Sequence, residues 1–252
     1  MPDFLCSTLR GRVALVTGAA GTMGLAATRV LLEDGCRVAL VDANRARTEA
    51  LAAELGADAH AFCFDISDPD AVRAGHAEIV AALGPVDLLV NNAGILSNNK
   101  AEATDAAEWR RVLAVNLDGA FYLAQQVMPA MKARRFGRIV NTCSLAAKTG
   151  GLTAGTAYSV SKGALTSLTF SLARELASHG VTANGISPAY VKTPMITEQL
   201  SEAQRQKLLA DIPVGRFCEP EEFAHVVRFL VSPLAGFITG EIVDLNGGLL
   251  MD

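Results

Sequence analysis

Tyr158 and Lys162 lie four residues apart. On a helix that spacing puts both side chains on one face, one turn from each other. A phenol is a poor base at neutral pH because its pKa is near ~10. A neighbouring ammonium favours the phenolate and draws that value down. Such a pair moves a proton to or from an alcohol oxygen. The spacing alone is a weak signal, and an ordinary exposed helical contact produces it more often. Two more residues give it context. Ser144 directly follows a run at 138–143 that reads as a strand, and Asn116 interrupts the apolar sequence Val112-Leu113-Ala114-Val115-Asn116-Leu117. Asparagine is a weak helix former and needs partners when buried. Asn116 is therefore either a satisfied structural residue or part of a site.

Positioning these residues requires a scaffold, and the hydrophobic pattern supplies one. Short apolar, β-branched runs at 12–17, 37–41, 59–64, 86–90, 138–143, 181–186 and 242–245 read as strands. Helical patterns separate them, including one long stretch at 106–135 that Pro129 is expected to kink. Asp68-Pro69 has the form of a helix cap followed by its first residue. Strict alternation of strand and helix predicts an α/β fold: one doubly wound, seven-stranded parallel sheet with helices on both faces. Residues 1–252 then form a single nucleotide-binding domain with no separate substrate domain. Ligands of such sheets bind beyond the carboxyl ends of the strands. Substrate would be held there by loops at 95–104, 145–156 and 189–212, the last read as a lid.

The first strand ends at Gly18, and Ala19-Ala20-Gly21-Thr22-Met23-Gly24 leads into a helix. A glycine loop between strand and helix lets backbone approach a pyrophosphate at the positive end of the helix dipole. Asp42 follows the second strand, 24 residues after Gly18. A carboxylate at that position accepts hydrogen bonds from an adenosine ribose and repels a 2′-phosphate, which argues for NAD over NADP. Arg45 softens that preference, and a helix-capping role for Asp42 is the plainer alternative. Asn91-Asn92-Ala93-Gly94 follows the fourth strand, where an asparagine either forms a turn or holds a neighbouring loop.

Composition narrows the class. Half the chain is hydrophobic but only 6% is aromatic, so the core must be built of Ala, Val, Leu and Ile. A net charge of -4 gives no footprint for nucleic acid. Five scattered cysteines without CxxC spacing suit a reducing compartment, and four dispersed histidines suggest no metal site. Residues 1–10 carry no leader-like apolar run, and no segment has ~18 uninterrupted apolar residues. The expectation is a cytoplasmic protein without a membrane span.

In order, Thr17-Gly18…Gly24, Asp65, Asn91-Asn92-Ala93-Gly94, Asn116, Ser144, Tyr158…Lys162, Pro188…Thr193 and Phe237-Ile238-Thr239-Gly240 resemble the motifs of the short-chain dehydrogenase/reductase family, in its single-domain Rossmann-fold branch. The resemblance covers roughly residues 9–248. It implies that Tyr158 is the acid/base, that Lys162 lowers its pKa and binds the nicotinamide ribose, that Ser144 meets the substrate oxygen and that Asn116 holds a water linking Lys162 to solvent. It further implies cofactor contacts from Gly18, Gly21, Thr22, Met23 and Gly24, from Asp65 and Ile66 at the adenine, and from Asn92, Ala93 and Gly94 along the adenosine side. Pro188 and Val191 would also contact the cofactor, and Thr193 would meet its carboxamide. Two departures stand out: Thr22 replaces a usual glycine, and Ala189 follows Pro188 where the family usually has Gly.

The reading that follows is an NAD(H)-dependent oxidoreductase interconverting a secondary alcohol and a ketone. A small polar substrate (polyol, sugar or hydroxy acid) is expected from Asp42 and from Lys100, Lys148 and Lys192 near the mouth. The alternative is a 3-oxoacyl-[acyl-carrier-protein] or CoA-type reductase, which the overall pattern also resembles. A non-catalytic nucleotide-binding regulatory protein is the alternative of another class. The resemblance also implies a homotetramer, for which the two long Ala/Leu-rich helices have apolar residues on more than one face.

Overall fold

Strands buried on both faces favour apolar sequence, and Val13–Thr17 and Leu88–Asn91 have it, while Gly137–Thr142 and Val181–Pro188 also bury polar residues such as Asn141 and Asn184. The computed structural model describes residues 9–194 and 201–251. The expectations at 1–8 and the 195–200 part of the lid lie outside the described residues. Seven strands form one parallel sheet: β1 (Val13–Thr17), β2 (Arg37–Val41), β3 (Ala59–Phe62), β4 (Leu88–Asn91), β5 (Gly137–Thr142), β6 (Val181–Pro188) and β7 (Ile242–Leu245). Their order is β3-β2-β1-β4-β5-β6-β7. It reverses between β1 and β4, and that switch point opens a crevice at the carboxyl ends of the strands.

Helices cover both faces. They are α1 (Thr22–Glu33), α2 (Arg45–Leu55), α3 (Pro69–Leu83), α4 (Ala106–Leu113), α5 (Gly119–Arg134), α6 (Ala146–Thr149), α7 (Thr156–Leu176), α8 (Glu202–Asp211) and α9 (Pro220–Val231). On one face Val72 and Ile79 of α3, Leu123 and Met131 of α5, and Leu172 and Leu176 of α7 pack on Leu15, Leu89 and Ile139. On the other, Leu31 of α1 and Phe223, Val227 and Leu230 of α9 pack on Val16, Leu40 and Val90. The side chain of Asp68 caps α3, accepting from Asp70 N and Ala71 N. Asp87, the one charged residue in an apolar run, accepts from Val13 N and pairs with Arg12 and Arg134.

Boundaries moved by a residue or two. β3 stops at Phe62, β4 starts at Leu88, and β6 runs on to Pro188. The larger difference is at 106–135. Pro129 sits inside α5, and the irregularity falls instead at Ala114–Asp118, a π-helical turn centred on Asn116. Such turns insert one residue into the helical repeat and often occur at functional sites. Among the described residues no helix is long and apolar enough to cross a membrane.

Candidate active site

The crevice above β1 and β4 begins with Gly18, whose φ is +63°. A Cβ there would stand 2.9 Å from the Ala93 Cα, so side-chain-free backbone is required. Thr17 Oγ1 accepts from the N–H groups of both Asn92 and Ala93, at 3.0 Å each. Asn92 Nδ2 donates to Thr17 O and Gly18 O, at 3.1 and 3.3 Å. The asparagine therefore ties the β4 loop to the glycine loop. Gly21, extended at φ -82°, precedes α1, and Thr22 is the first helical residue. A threonine is at ease there, and the first-turn N–H groups of Thr22, Met23 and Gly24 have no acceptor within the helix.

Asp42 does not cap α2; Asn44 does, accepting from Arg47 N. The Asp42 carboxylate instead accepts from Ala20 N at 3.1 Å and Asn44 N at 3.0 Å. Arg47 Nε donates to Ala20 O at 2.7 Å, so the glycine loop is gripped from both sides. The expected Arg45 points elsewhere and pairs with Glu49. Asp65 accepts from Ser67 N and Ser67 Oγ in a tight turn. Ile66 is buried at 9% exposure, against Gly119.

These residues fit a dinucleotide. Gly94 is exposed, and a Cβ on it would lie 3.3 Å from Asn116 Oδ1 and 3.4 Å from Lys162 Nζ. That leaves open backbone next to two of the residues singled out for chemistry. Asn92 Oδ1 is buried and has no protein partner.

The structure brings Asn116, Ser144, Tyr158 and Lys162 together at the ends of β4 and β5. Asn116 is 1% exposed. Its Nδ2 donates to Ile95 O and Ser161 Oγ, both at 3.0 Å, and its Oδ1 accepts from Ile95 N at 2.8 Å. Both amide donors are thereby committed to the loop after Gly94 and to α7. Lys162 is 3% exposed, and its Nζ donates to Thr142 O at 2.6 Å. Burial pulls its pKa down to about 8. Ser144 Oγ accepts from Ala146 N at 3.2 Å and is hydrogen-bonded with the Tyr158 side chain.

Burial works against the expected lowering of the Tyr158 pKa by Lys162. Burial pushes the phenol up, and the Ser144 hydrogen bond opposes it in part. The ammonium stands 5.8 Å from the ring centroid and is engaged elsewhere.

At the carboxyl end of β6, Pro188 O accepts from Leu145 N, which joins this strand to the Ser144 turn. Val191 is buried and bridges Cys218, while Thr193 is half-buried. Arg135 is the one non-glycine with positive φ among the described residues, so Ala189 sits without backbone strain. The roles of Thr17 and Ser161 as anchors of Asn92 and Asn116 were missed in the sequence. A hydroxyl beside a glycine or on an apolar helix carries no pattern of its own.

A parallel sheet with a phosphate-binding crevice, and a Ser–Tyr–Lys cluster at its edge, defines a nucleotide-dependent oxidoreductase. A family model described as Enoyl-(Acyl carrier protein) reductase matches residues 18–250. The chain is 42% identical over 246 residues to nodulation protein G of Azospirillum brasilense, covering 94% of this chain and 98% of that protein. It is 38% identical over 244 residues to the 3-oxoacyl-[acyl-carrier-protein] reductase FabG of Vibrio cholerae, covering 96% and 99%. Against FabG of Escherichia coli the figure is 37% over 242 residues, covering 96% and 98%. The chain belongs to the short-chain dehydrogenase/reductase family, and is an NAD(P)-dependent oxidoreductase acting on CH–OH groups.

Proposed function

We propose that the protein reduces the ketone of a 3-oxoacyl thioester to the 3-hydroxyl. The observation that carries this reading over a small polar substrate is the engagement of the three lysines that suggested one. Lys100 donates to Gly151 O and Ala154 O. Lys148 pairs with Asp244 at 2.6 Å, and Lys192 with Glu219 at 3.0 Å. Their charge is spent on the protein itself, which leaves a small anion little to bind. The relatives named as 3-oxoacyl reductases support the same substrate class.

Tyr158, held neutral by burial, gives its proton to the ketone oxygen as negative charge develops there. Ser144 Oγ hydrogen-bonds the same oxygen and fixes its place beside the phenol. Lys162 orients the nicotinamide ribose, and Asn116 holds the loop through Gly94 against which the cofactor lies. When bound, the dinucleotide supplies the hydride. Asp42 favours NAD, because a second negative charge at the ribose is repelled. A preference for NADP is the second reading, favoured by Arg47 at Ala20 O.

Steady-state rates test the substrate. We expect kcat/KM for acetoacetyl-CoA to exceed that for any polyol, sugar or hydroxy acid by about 100-fold or more. A polyol turned over faster than the thioester is reduced would reject the assignment.

A homotetramer is supported by apolar surface on α5 and α7, where Phe121 and Phe170 are 40% and 49% exposed. A groove there is lined by Phe121, Met128, Pro129 and Leu172, with Gln125 and the Lys132–Glu175 ion pair beside them. Light scattering at the mass of a single chain would rule this out. The free cysteines Cys36, Cys63, Cys143 and Cys218 are in keeping with a reducing, cytoplasmic setting.

A further inference from the structure

Residues 95–104 leave the end of β4 and run beside 150–155, the segment that leads into α7. The two are joined by backbone: Gly155 N donates to Ser97 O at 2.6 Å and Thr156 N to Asn99 O at 3.0 Å. Both donors belong to the start of α7, which has no side-chain cap, so the carbonyls of the neighbouring loop act as its cap. The contact is close. A Cβ on Gly155 would run into the Asn99 carbonyl and come within 2.8 Å of Asn98 C.

Side chains hold the outer loop in shape. Glu108 of α4 accepts from Ser97 Oγ and, at 2.7 Å, from Asn99 Nδ2. Thr104 Oγ1 bonds Asn99 O and Lys100 O at 3.1 and 2.9 Å. Lys100 alone of these side chains reaches across. Its ammonium donates to Gly151 O and Ala154 O, at 2.7 Å each. The gripped segment has Ser144 upstream and Tyr158 downstream, so its slack becomes slack in their hydrogen bond.

We infer that Lys100 is a positioning residue, a latch that binds the 150–155 segment to the 95–104 loop. It thereby fixes where α7 begins and where the Tyr158 hydroxyl stands relative to Ser144. The inference rests on the reading of Tyr158 as proton donor. Charge-assisted bonds to two carbonyls of one turn are stronger than neutral ones and hold both ends of that turn. Arginine can make the same two bonds; methionine matches the length of the stem and makes neither.

Lys100→Met and Lys100→Arg in the full chain test the latch. Amide hydrogen exchange at Gly155 and Thr156 is expected to quicken about tenfold or more in Lys100→Met and to return toward wild type in Lys100→Arg. With acetoacetyl-CoA, kcat should fall by about tenfold in Lys100→Met, since small misplacements of reacting groups are costly. Cofactor affinity should stay within about twofold, because the latch lies away from the nucleotide crevice. Arginine should recover most of the lost kcat. Unchanged exchange in Lys100→Met overturns the inference whatever the kinetics, and so does a loss of kcat that arginine fails to rescue. The exchange measurement needs no turnover. If the wild-type protein reduces no thioester but the exchange responds, the substrate assignment fails and the latch stands.

Discussion

Lys162 Nζ donates to the carbonyl oxygen of Thr142 at 2.6 Å, beneath the Tyr158 ring. The bond anchors a buried ammonium whose pKa burial has drawn to about 8. A buried charge of this kind weighs on stability. In the unfolded chain the same lysine titrates near its ordinary 10.5. Below pH 8 it is charged in both states and the full desolvation cost is present. Between about 8 and 10.5 the folded state releases its proton first, so the unfolded state binds more protons and stability rises with pH. Lys162→Met removes this dependence. Urea unfolding of both proteins from pH 7.5 to 10.5 should show wild type gaining on the variant by up to roughly 3 kcal/mol. Cys36, raised to about 12, loses stability in the same range but equally in both proteins. A stability gap that does not change with pH would mean that the ammonium is not penalised.

Tyr158→Phe tests the proposed proton donor. The hydroxyl is the only group the substitution removes, and general-acid catalysis contributes about 10² to 10⁴ in rate. We expect kcat to fall by about that factor while cofactor affinity stays within a few-fold. The wild-type reduction rate should hold through neutral pH and decline only in alkali, because burial keeps the phenol protonated. Ser144→Ala should lower the rate and move that decline to still higher pH, since the Ser144 hydrogen bond draws the phenol down. Retained turnover in Tyr158→Phe would place the proton donor elsewhere.

Much of this was legible in the sequence, for identifiable reasons. Central strands buried on both faces are mostly apolar, so β1 and β4 announce themselves in composition. A glycine needed at positive φ, as at Gly18, has no substitute and leaves a visible mark. Asn116 was visible as a polar residue in an apolar helix, although the π-helical turn around it was not. One inserted residue hardly changes the hydrophobic period over so short a span. The charged groups were the least legible. Lys100, Lys148 and Lys192 look alike in sequence, and only tertiary structure shows that each already has an acceptor. The surroundings of Tyr158 were hidden for the same reason. Spacing placed the ammonium nearby but said nothing of Thr142 O, which holds it, or of the burial that pushes the phenol up.

The proposed cofactor preference involves two side chains that grip the same residue. Asp42 Oδ2 accepts from Ala20 N, and Arg47 Nε donates to Ala20 O. Both therefore stand at the edge of the glycine loop, where the adenosine ribose is expected. A carboxylate within a few ångströms of a 2′-phosphate costs about 1 to 4 kcal/mol, depending on how far water screens the pair. Asp42→Ala should therefore raise the ratio of kcat/KM for NADPH over NADH by about tenfold or more. Its loss also frees Ala20 N, so some decline with both cofactors is expected and the ratio is the quantity to read. Arg47→Ala should move the ratio the other way. If Asp42→Ala leaves it unchanged, the carboxylate is a strut of the glycine loop and discriminates nothing. If wild type already prefers NADPH and Arg47→Ala abolishes that preference, the arginine outweighs the acid and the NAD assignment is wrong.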